Sequence, residues 1–236
     1  MKLSILVPVY NECRTIVELL GRVDQVPLEK EIIVVDDGST DGTRLLLEPF
    51  AERPGFKVLH HDRNRGKGAA IRTGLAEAAG EVTVVQDADL EYDPLDFVEM
   101  IRPIREGRAR AVFGSRRLRK ENKQYSGAVY YAGGIFLSWV TRVLYGIRIT
   151  DEPTCYKMVE TRLLRSLGLV SERFEFCPEV TAKLARRGVP ILEVPISYHP
   201  RHKDEGKKIG WKDAVEAVWT LLRYRFARIT PKDPPA

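Results

Sequence analysis

Three carboxylates stand two residues apart in "VVQDADLEYDP", Val84 to Pro94: Asp87, Asp89 and Glu91. They follow a run of valines, so they sit at the mouth of an apolar strand. Clustered acids repel one another unless something positive is shared among them. A hard divalent cation such as Mg²⁺ or Mn²⁺ is held by one or two carboxylates, several waters and the oxygens of a substrate phosphate. Asp-x-Asp at a strand end therefore points to a metal–diphosphate site. A solvated acidic loop would account for the tripeptide alone.

A second pair of acids, Asp36 and Asp37, ends another apolar run and opens "VDDGSTDGT" (35–43). Gly38 and Ser39 permit a tight turn, and Thr40 or Asp41 can cap the next helix. A capped turn explains Ser39 to Thr43 but leaves the paired acids over. A carboxylate placed here can accept hydrogen bonds from a nucleobase or ribose. "RNRGKGAAIRTG" (63–74) is basic and glycine-rich before a helix, with neither P-loop spacing nor a dinucleotide fingerprint. Gly66 and Gly68 suit close helix packing. His60, His61, His199 and His202 lack zinc-ligand spacing, and no Ser–His arrangement stands out. Phosphoaspartyl hydrolases also begin with Asp-x-Asp after a strand, but usually carry Thr or Val where this chain has Glu91.

These groups need a frame. Strand-like runs at 3–10, 31–37, 82–89 and 110–115 alternate with helical patterns at 12–24, 41–53, 66–80 and 94–107. The last has Asp93 as a cap, Pro94 at its first position and Gly107 at its close. Nearly continuous apolar strands between helices imply a parallel sheet covered on both faces. Ligands bind such sheets at the carboxyl ends of the strands, where the acids fall. After residue 115 the alternation stops. A basic loop (116–125), an apolar helix (127–146), a helix (178–188) and a strand (190–200) follow, and Pro195 places that strand near an edge. Residues 201–213 form a charged, glycine-containing loop. Helix 211–229 sets Trp211, Val215, Val218, Leu222, Phe226 and Ile229 on one face. The chain thus divides into a domain at 1–210 and a C-terminal amphipathic helix and tail at 211–236.

The 236 residues are 44% hydrophobic and 30% charged, a globular composition. The formal net charge of +5 favours polyanionic partners. Nucleic acid is not expected among them, because the acid clusters would repel its phosphates. Cys13, Cys155 and Cys177 are widely separated, without a CxxC pair, and free thiols suit a reducing cytoplasm. The N-terminal apolar run breaks at Pro8, too early for a signal sequence. No stretch reaches the roughly 20 apolar residues of a membrane span. The best candidate, 133–146, is short and carries Arg142.

"VPVYNE" (7–12), "VVDDGSTDGT" (34–43), "NRGKGAAIRTG" (64–74) and "QDADLEYDP" (86–94), in that order, resemble the family 2 inverting glycosyltransferases of GT-A fold. "FGSR" (113–116), "TCYK" (154–157), "FEFCPEVTAKL" (174–184) and "VPISYHPRHKDEGKKIGWKD" (194–213) narrow the resemblance. They are similar to the dolichol-phosphate mannosyltransferases and related polyprenyl-phosphate hexosyltransferases. The match runs over roughly residues 3–213. It implies an α/β, GT-A (Rossmann-like) fold, a mostly parallel sheet flanked by helices, with 1–210 as the catalytic domain.

The resemblance also implies roles. Pro8, Tyr10 and Glu12, with Val35 and Asp37, line a nucleoside pocket. Asp87, Ala88 and Asp89 face the ribose and diphosphate. Asp89 and Glu91, with Asp87 beside them, hold Mg²⁺ or Mn²⁺. Arg116, Arg201 and Lys207 contact phosphates. The mannosyltransferases usually carry Gln at the position of Glu91, so this chain adds a negative charge there.

The implied reaction moves a hexose, mannose or glucose, from a GDP- or UDP-sugar to a polyprenyl or dolichyl phosphate. A lipid phosphate is already ionised at pH 7 and needs no general base, which fits a site rich in Arg and Lys. Arg116, Arg117, Arg119 and Lys120 are candidates to hold it, Arg by bidentate contact. The implied location is cytoplasmic, peripheral to the cytoplasmic face of the membrane. Helices 127–146 and 211–229 can either lie in the interface or pack on the core. Two other enzymes remain open. A family 2 transferase with a soluble or protein acceptor shares every donor motif. A nucleotidyltransferase shares the metal–diphosphate site, but usually has a basic glycine-rich loop where "PVYNE" stands.

Overall fold

The structure, a computed structural model, describes residues 1–122, 127–200 and 210–227. Its strands are β1 (Leu3–Val9), β2 (Lys30–Asp36), β3 (Phe56–His60), β4 (Val82–Val85), β5 (Ala111–Ser115), β6 (Lys157–Glu160) and β7 (Ile191–Pro195). Between them run helices α1 (Ile16–Asp24), α2 (Thr43–Ala51), α3 (Lys67–Glu77), α4 (Phe97–Arg105), α5 (Ala128–Tyr145), α6 (Thr161–Ser166) and α7 (Phe176–Arg186), and α8 (Trp211–Phe226) comes last.

The strands form one sheet in the order β3-β2-β1-β4-β6-β5-β7. Pairing is parallel except around β6, which runs antiparallel to both β4 and β5. β1, β4 and β5 are buried along almost their whole length, as apolar strands covered on both faces must be. β7 is an edge strand, in keeping with Pro195. Asp93 accepts a hydrogen bond from Leu95 N at the 3-10 turn (Pro94–Asp96) that leads into α4, and Gly107 closes this segment at φ +68°.

Two strands and a helix add to the pattern read from the sequence. β3 is a five-residue edge strand that is half-exposed, so its apolar residues form no continuous run. β6 has four residues, two of them charged, and lies beside short α6. Both are strands by virtue of their neighbours rather than of their own pattern.

The chain steps from β1 out through β2 to β3, then returns through α3 to β4 on the other side of β1. This reversal is a topological switch point, and the crevice outside the strand ends lies there. The register aligns the ends: Val9 pairs with Asp36, and Leu6 with Val85.

α3 lies close on the sheet and on the segment before α7. Gly66 precedes it at φ +96°, and a Cβ there would collide with the Glu172 carbonyl oxygen. Gly66→Ala should therefore destabilise the fold by about 1–3 kcal/mol, the range for a residue forced into a disfavoured conformation. A urea titration of parent and variant checks this.

Candidate active site

Three loops meet at the switch point. The loop after β1 is tied to the loop after β2: Asn11 N donates to Ser39 Oγ (3.0 Å), Glu12 N to Thr43 Oγ1 (3.0 Å) and Cys13 N to Asp41 Oδ2 (3.1 Å). It is tied on its other side to the acidic loop after β4, where Thr15 Oγ1 donates to the Ala88 carbonyl at 2.7 Å and to Glu12 Oε2 at 3.0 Å. Asn11 is left-handed at φ +52°, and so is Leu90 at φ +62°, between the two acids of the proposed metal pair. The Leu90 turn is closed by Glu91 N donating to Asp89 Oδ1 at 3.1 Å.

The paired acids Asp36 and Asp37 have structural work. Asp36 is fully buried and accepts from Ser39 N (3.0 Å) and Arg44 Nε (2.9 Å), with His60 Nδ1 at 3.2 Å. Burial would raise its pKa, but these donors hold it below the ordinary carboxylate value. Asp37 lies 2.7 Å from His61 Nδ1 and accepts from Arg65 N (2.9 Å) and Gly66 N (2.7 Å). It thereby fixes the approach to α3. Of the other nucleoside-pocket candidates, Pro8, Tyr10 and Glu12 are half-buried along β1 and its loop, and Val35 is buried.

Lys67, the first residue of α3, reaches Asp87 Oδ1 at 2.5 Å. Its ammonium also stands 3.5 Å from Cys155 Sγ and 5.6 Å from the centroid of the Phe174 ring. Burial alone would lower its pKa, but Asp87 reverses this and holds it well above the usual lysine range. Asp87 thus has a permanent counter-charge from the protein. The signal in the sequence was Lys67 between two glycines at a helix start, which the loose spacing of "RGKG" obscured.

Arg116 follows β5 and is clamped. Its backbone N (2.9 Å) and Nε (2.7 Å) donate to Asp151 Oδ2, and its Nη2 donates to Oδ1 (2.6 Å). Its guanidinium faces the rings of Tyr198 (5.1 Å to the centroid) and Tyr92 (5.9 Å). Desolvation opposes the charge, yet Asp151 over-compensates and keeps Arg116 well above its ordinary pKa. Tyr198 Oη donates to Glu91 Oε2 at 3.1 Å, joining the arginine cluster to the acids.

Arg117 and Arg119 of this loop have other partners. Arg117 Nη1 donates to the Thr150 carbonyl (2.6 Å), and Arg119 Nη1 to Ser197 Oγ (2.6 Å). Arg201 and Lys207 lie outside the described residues. A cleft of about 570 Å³, lined among the described residues by His60, His61, Asp62, Arg63 and Arg65, opens on the β3 side. Asp87, Asp89 and Glu91 lie elsewhere, at the end of β4, and Arg116 follows β5, joined to Glu91 through Tyr198.

Among the described residues no three His, Cys, Asp or Glu are gathered as a metal cage. A hard cation that keeps its waters and shares substrate phosphates needs only one or two carboxylates. Asp89 and Glu91, an oxygen-only set at a strand mouth with Asp87 already neutralised, fit that requirement.

The family model for glycosyl transferase family 2 matches residues 4–151, which hold β1 to β5 and the acidic loops. The chain belongs to glycosyl transferase family 2. An undecaprenyl-phosphate mannosyltransferase of Micrococcus luteus is 30% identical to this family 2 enzyme over 96% of this chain and 95% of that protein. A dolichol-phosphate mannosyltransferase of Pyrococcus furiosus is 30% identical over 96% of this chain, which spans 63% of that protein. Glucosyl-3-phosphoglycerate synthase from Mycobacterium tuberculosis, solved with Mn²⁺, uridine diphosphate and phosphoglyceric acid, has a TM-score of 0.71. It is 20% identical, over 96% of this chain and 79% of that one, a likeness of fold. The sheet, with its switch point and antiparallel β6, is that of a GT-A glycosyltransferase.

Proposed function

We propose that this glycosyltransferase moves a hexose from a GDP- or UDP-sugar to a polyprenyl phosphate, with inversion. The observation that carries this is the junction of the acidic loop with a clamped arginine, through Tyr198, at the mouth of the sheet. The names of its relatives supply the class of acceptor.

An acceptor phosphate oxygen attacks the anomeric carbon and forms the new C–O bond. The bond from that carbon to the donor's diphosphate breaks, and the nucleoside diphosphate leaves with the electron pair. Mg²⁺ or Mn²⁺, when bound by Asp89 and Glu91, supplies the charge that stabilises this leaving group. Asp87, held by Lys67, faces the nucleotide beside Ala88, while Pro8, Tyr10, Glu12, Val35 and Asp37 shape the nucleoside side. Arg116 has its Nε and Nη2 edge on Asp151, which fixes the guanidinium plane for a phosphate on the remaining edge. Arg201 and Lys207 are assigned to phosphate as well. Attack by an ionised phosphate needs no general base.

A donor screen tests the donor half. Thermal shifts with GDP- and UDP-hexoses, each with and without Mn²⁺, should show one base raising the melting temperature in a metal-dependent manner. No metal-dependent shift with any donor would remove the assignment.

The acceptor half needs a lipid surface. No helix of the described residues is long and apolar enough to cross a membrane. α5 and α8 bury Leu137, Ala217, Leu221 and Tyr224 against α7. α8 therefore packs mainly through 217, 220, 221 and 224, with Val218 at the margin, while Val215 and Phe226 of the apolar stripe are exposed. Trp139 (51% exposed) and Val143 (64%) on α5, with Val215 and Trp219 (66%) on α8, stay outside. Exposed aromatics of this size near Arg142 and Arg223 suit an interfacial face on anionic lipid. We place the enzyme there, peripheral to the cytoplasmic face. The pair Trp139→Glu and Trp219→Glu should cut binding to anionic vesicles at least about tenfold, by flotation, without loss of fold. Unchanged flotation would remove the peripheral assignment.

A further inference from the structure

Tyr198 touches both halves of the centre. It is 7% exposed. Its hydroxyl donates to Glu91 Oε2 at 3.1 Å, and its ring forms a triangle with the Arg116 guanidinium (5.1 Å from the Tyr198 centroid) and the Tyr92 ring (5.6 Å between centroids). The backbone around it is fixed independently. Tyr198 N donates to Asn122 Oδ1 at 3.1 Å, and Asn122 Nδ2 donates to the carbonyls of Arg116 (2.8 Å) and Ile196 (2.7 Å). His199 N donates to the Glu91 carbonyl at 2.8 Å. The side chain is thus held in place by contacts other than its own hydroxyl bond. That bond sets the carboxylate of Glu91 rather than the position of the tyrosine.

We propose that Tyr198 is a positioning residue. Its hydroxyl orients Glu91 for the divalent cation, and its ring holds Arg116 flat for phosphate, so that the two are kept in one fixed relation. This rests on the assignment of Glu91 to the metal and of Arg116 to phosphate. A donor to one oxygen of a ligating carboxylate fixes its orientation, and losing such a partner typically weakens metal affinity about 10–100-fold. The ring contributes separately, since an aromatic face attracts a guanidinium and restricts its motion.

The two contributions separate by substitution. Tyr198→Phe keeps the ring and removes the hydroxyl. Mn²⁺ binding to the full chain, followed by electron paramagnetic resonance with excess GDP or UDP, should weaken about tenfold in this variant. Its melting temperature and its KM for polyprenyl phosphate should hold. Tyr198→Leu should weaken Mn²⁺ to the same extent and also raise that KM. Glu91→Ala should weaken Mn²⁺, and Tyr198→Phe should add nothing to it, because the two act through one contact. If Glu91→Ala loses Mn²⁺ affinity while Tyr198→Phe keeps it, the positioning role is overturned and the metal site stands. If Glu91→Ala itself binds Mn²⁺ as the parent does, the metal assignment is wrong and the positioning role falls with it.

Discussion

Asp89→Ala should lower sugar transfer by about 10²–10³-fold, the scale seen when a group that stabilises developing charge is removed. The same change should hardly affect the fold. Asp89 is half-buried at the strand mouth, outside the apolar core, and accepts a hydrogen bond from Glu91 N at the Leu90 turn. Loss of a bond of that kind costs about 0.5–1.5 kcal/mol. Initial rates at saturating donor and Mn²⁺, with a thermal melt beside them, separate the two effects. Unchanged turnover would mean that the acids at the end of β4 are not the metal site.

Arg116→Met should lose both transfer and stability. Asp151 is fully buried, and the variant removes the Arg116 charge together with the Nε and Nη2 bonds, leaving among the described residues the backbone N–H of residue 116 as its donor. Breaking a buried pair on one side typically costs about 3–5 kcal/mol. The pH dependence follows from the sign of the Asp151 shift. Burial would raise its pKa, but Arg116 wins and holds it below the ordinary carboxylate value. A depressed pKa gives stability that is present above the unfolded value, about 3.9, and is lost as the pH falls below it. Without Arg116, burial dominates and the carboxyl is protonated more readily. The stability gap between parent and variant should therefore be wide at pH 7 and narrow below about pH 4. Urea titrations at both pH values measure it, and a gap independent of pH would exclude the ion pair as its source. Arg116→Lys keeps the charge but not the planar fork. Transfer should remain impaired in that variant at a temperature where it is folded.

Much of this centre was legible because its residues advertise themselves by type and position. The valine runs of β1, β2 and β4 mark a buried parallel sheet, and Asp87, Asp89 and Glu91 stand where such a sheet binds ligands. Pro195 foretold an edge strand. β3 and β6 escaped because a short, half-exposed or charged strand has no periodicity of its own.

Asp36 and Asp37 stand out in the sequence because a capped turn does not need two acids. The structure gives these carboxylates protein partners, Arg44 and the histidines His60 and His61, the latter two each 24 residues along the chain from the acid they meet. Long-range pairing of this kind leaves no local pattern. The same holds for Lys67 with Asp87, and for Tyr198 with Glu91 and Arg116. On α8 the spacing found an apolar stripe, but the buried face is the one carrying Ala217, Thr220, Leu221 and Tyr224, because α5 and α7 approach from that side. A helix with apolar residues on two faces does not declare which one meets the core.

The most direct measurement follows labelled sugar from its nucleotide donor in the presence of Mn²⁺ and vesicles carrying polyprenyl phosphate. The label should enter the organic phase as a lipid-linked sugar phosphate, with one nucleoside diphosphate released per sugar. Chelation of the metal should abolish both, and Asp89→Ala should lower both by about 10²–10³-fold. Label passed instead to a water-soluble acceptor, or release of inorganic pyrophosphate, would contradict the account.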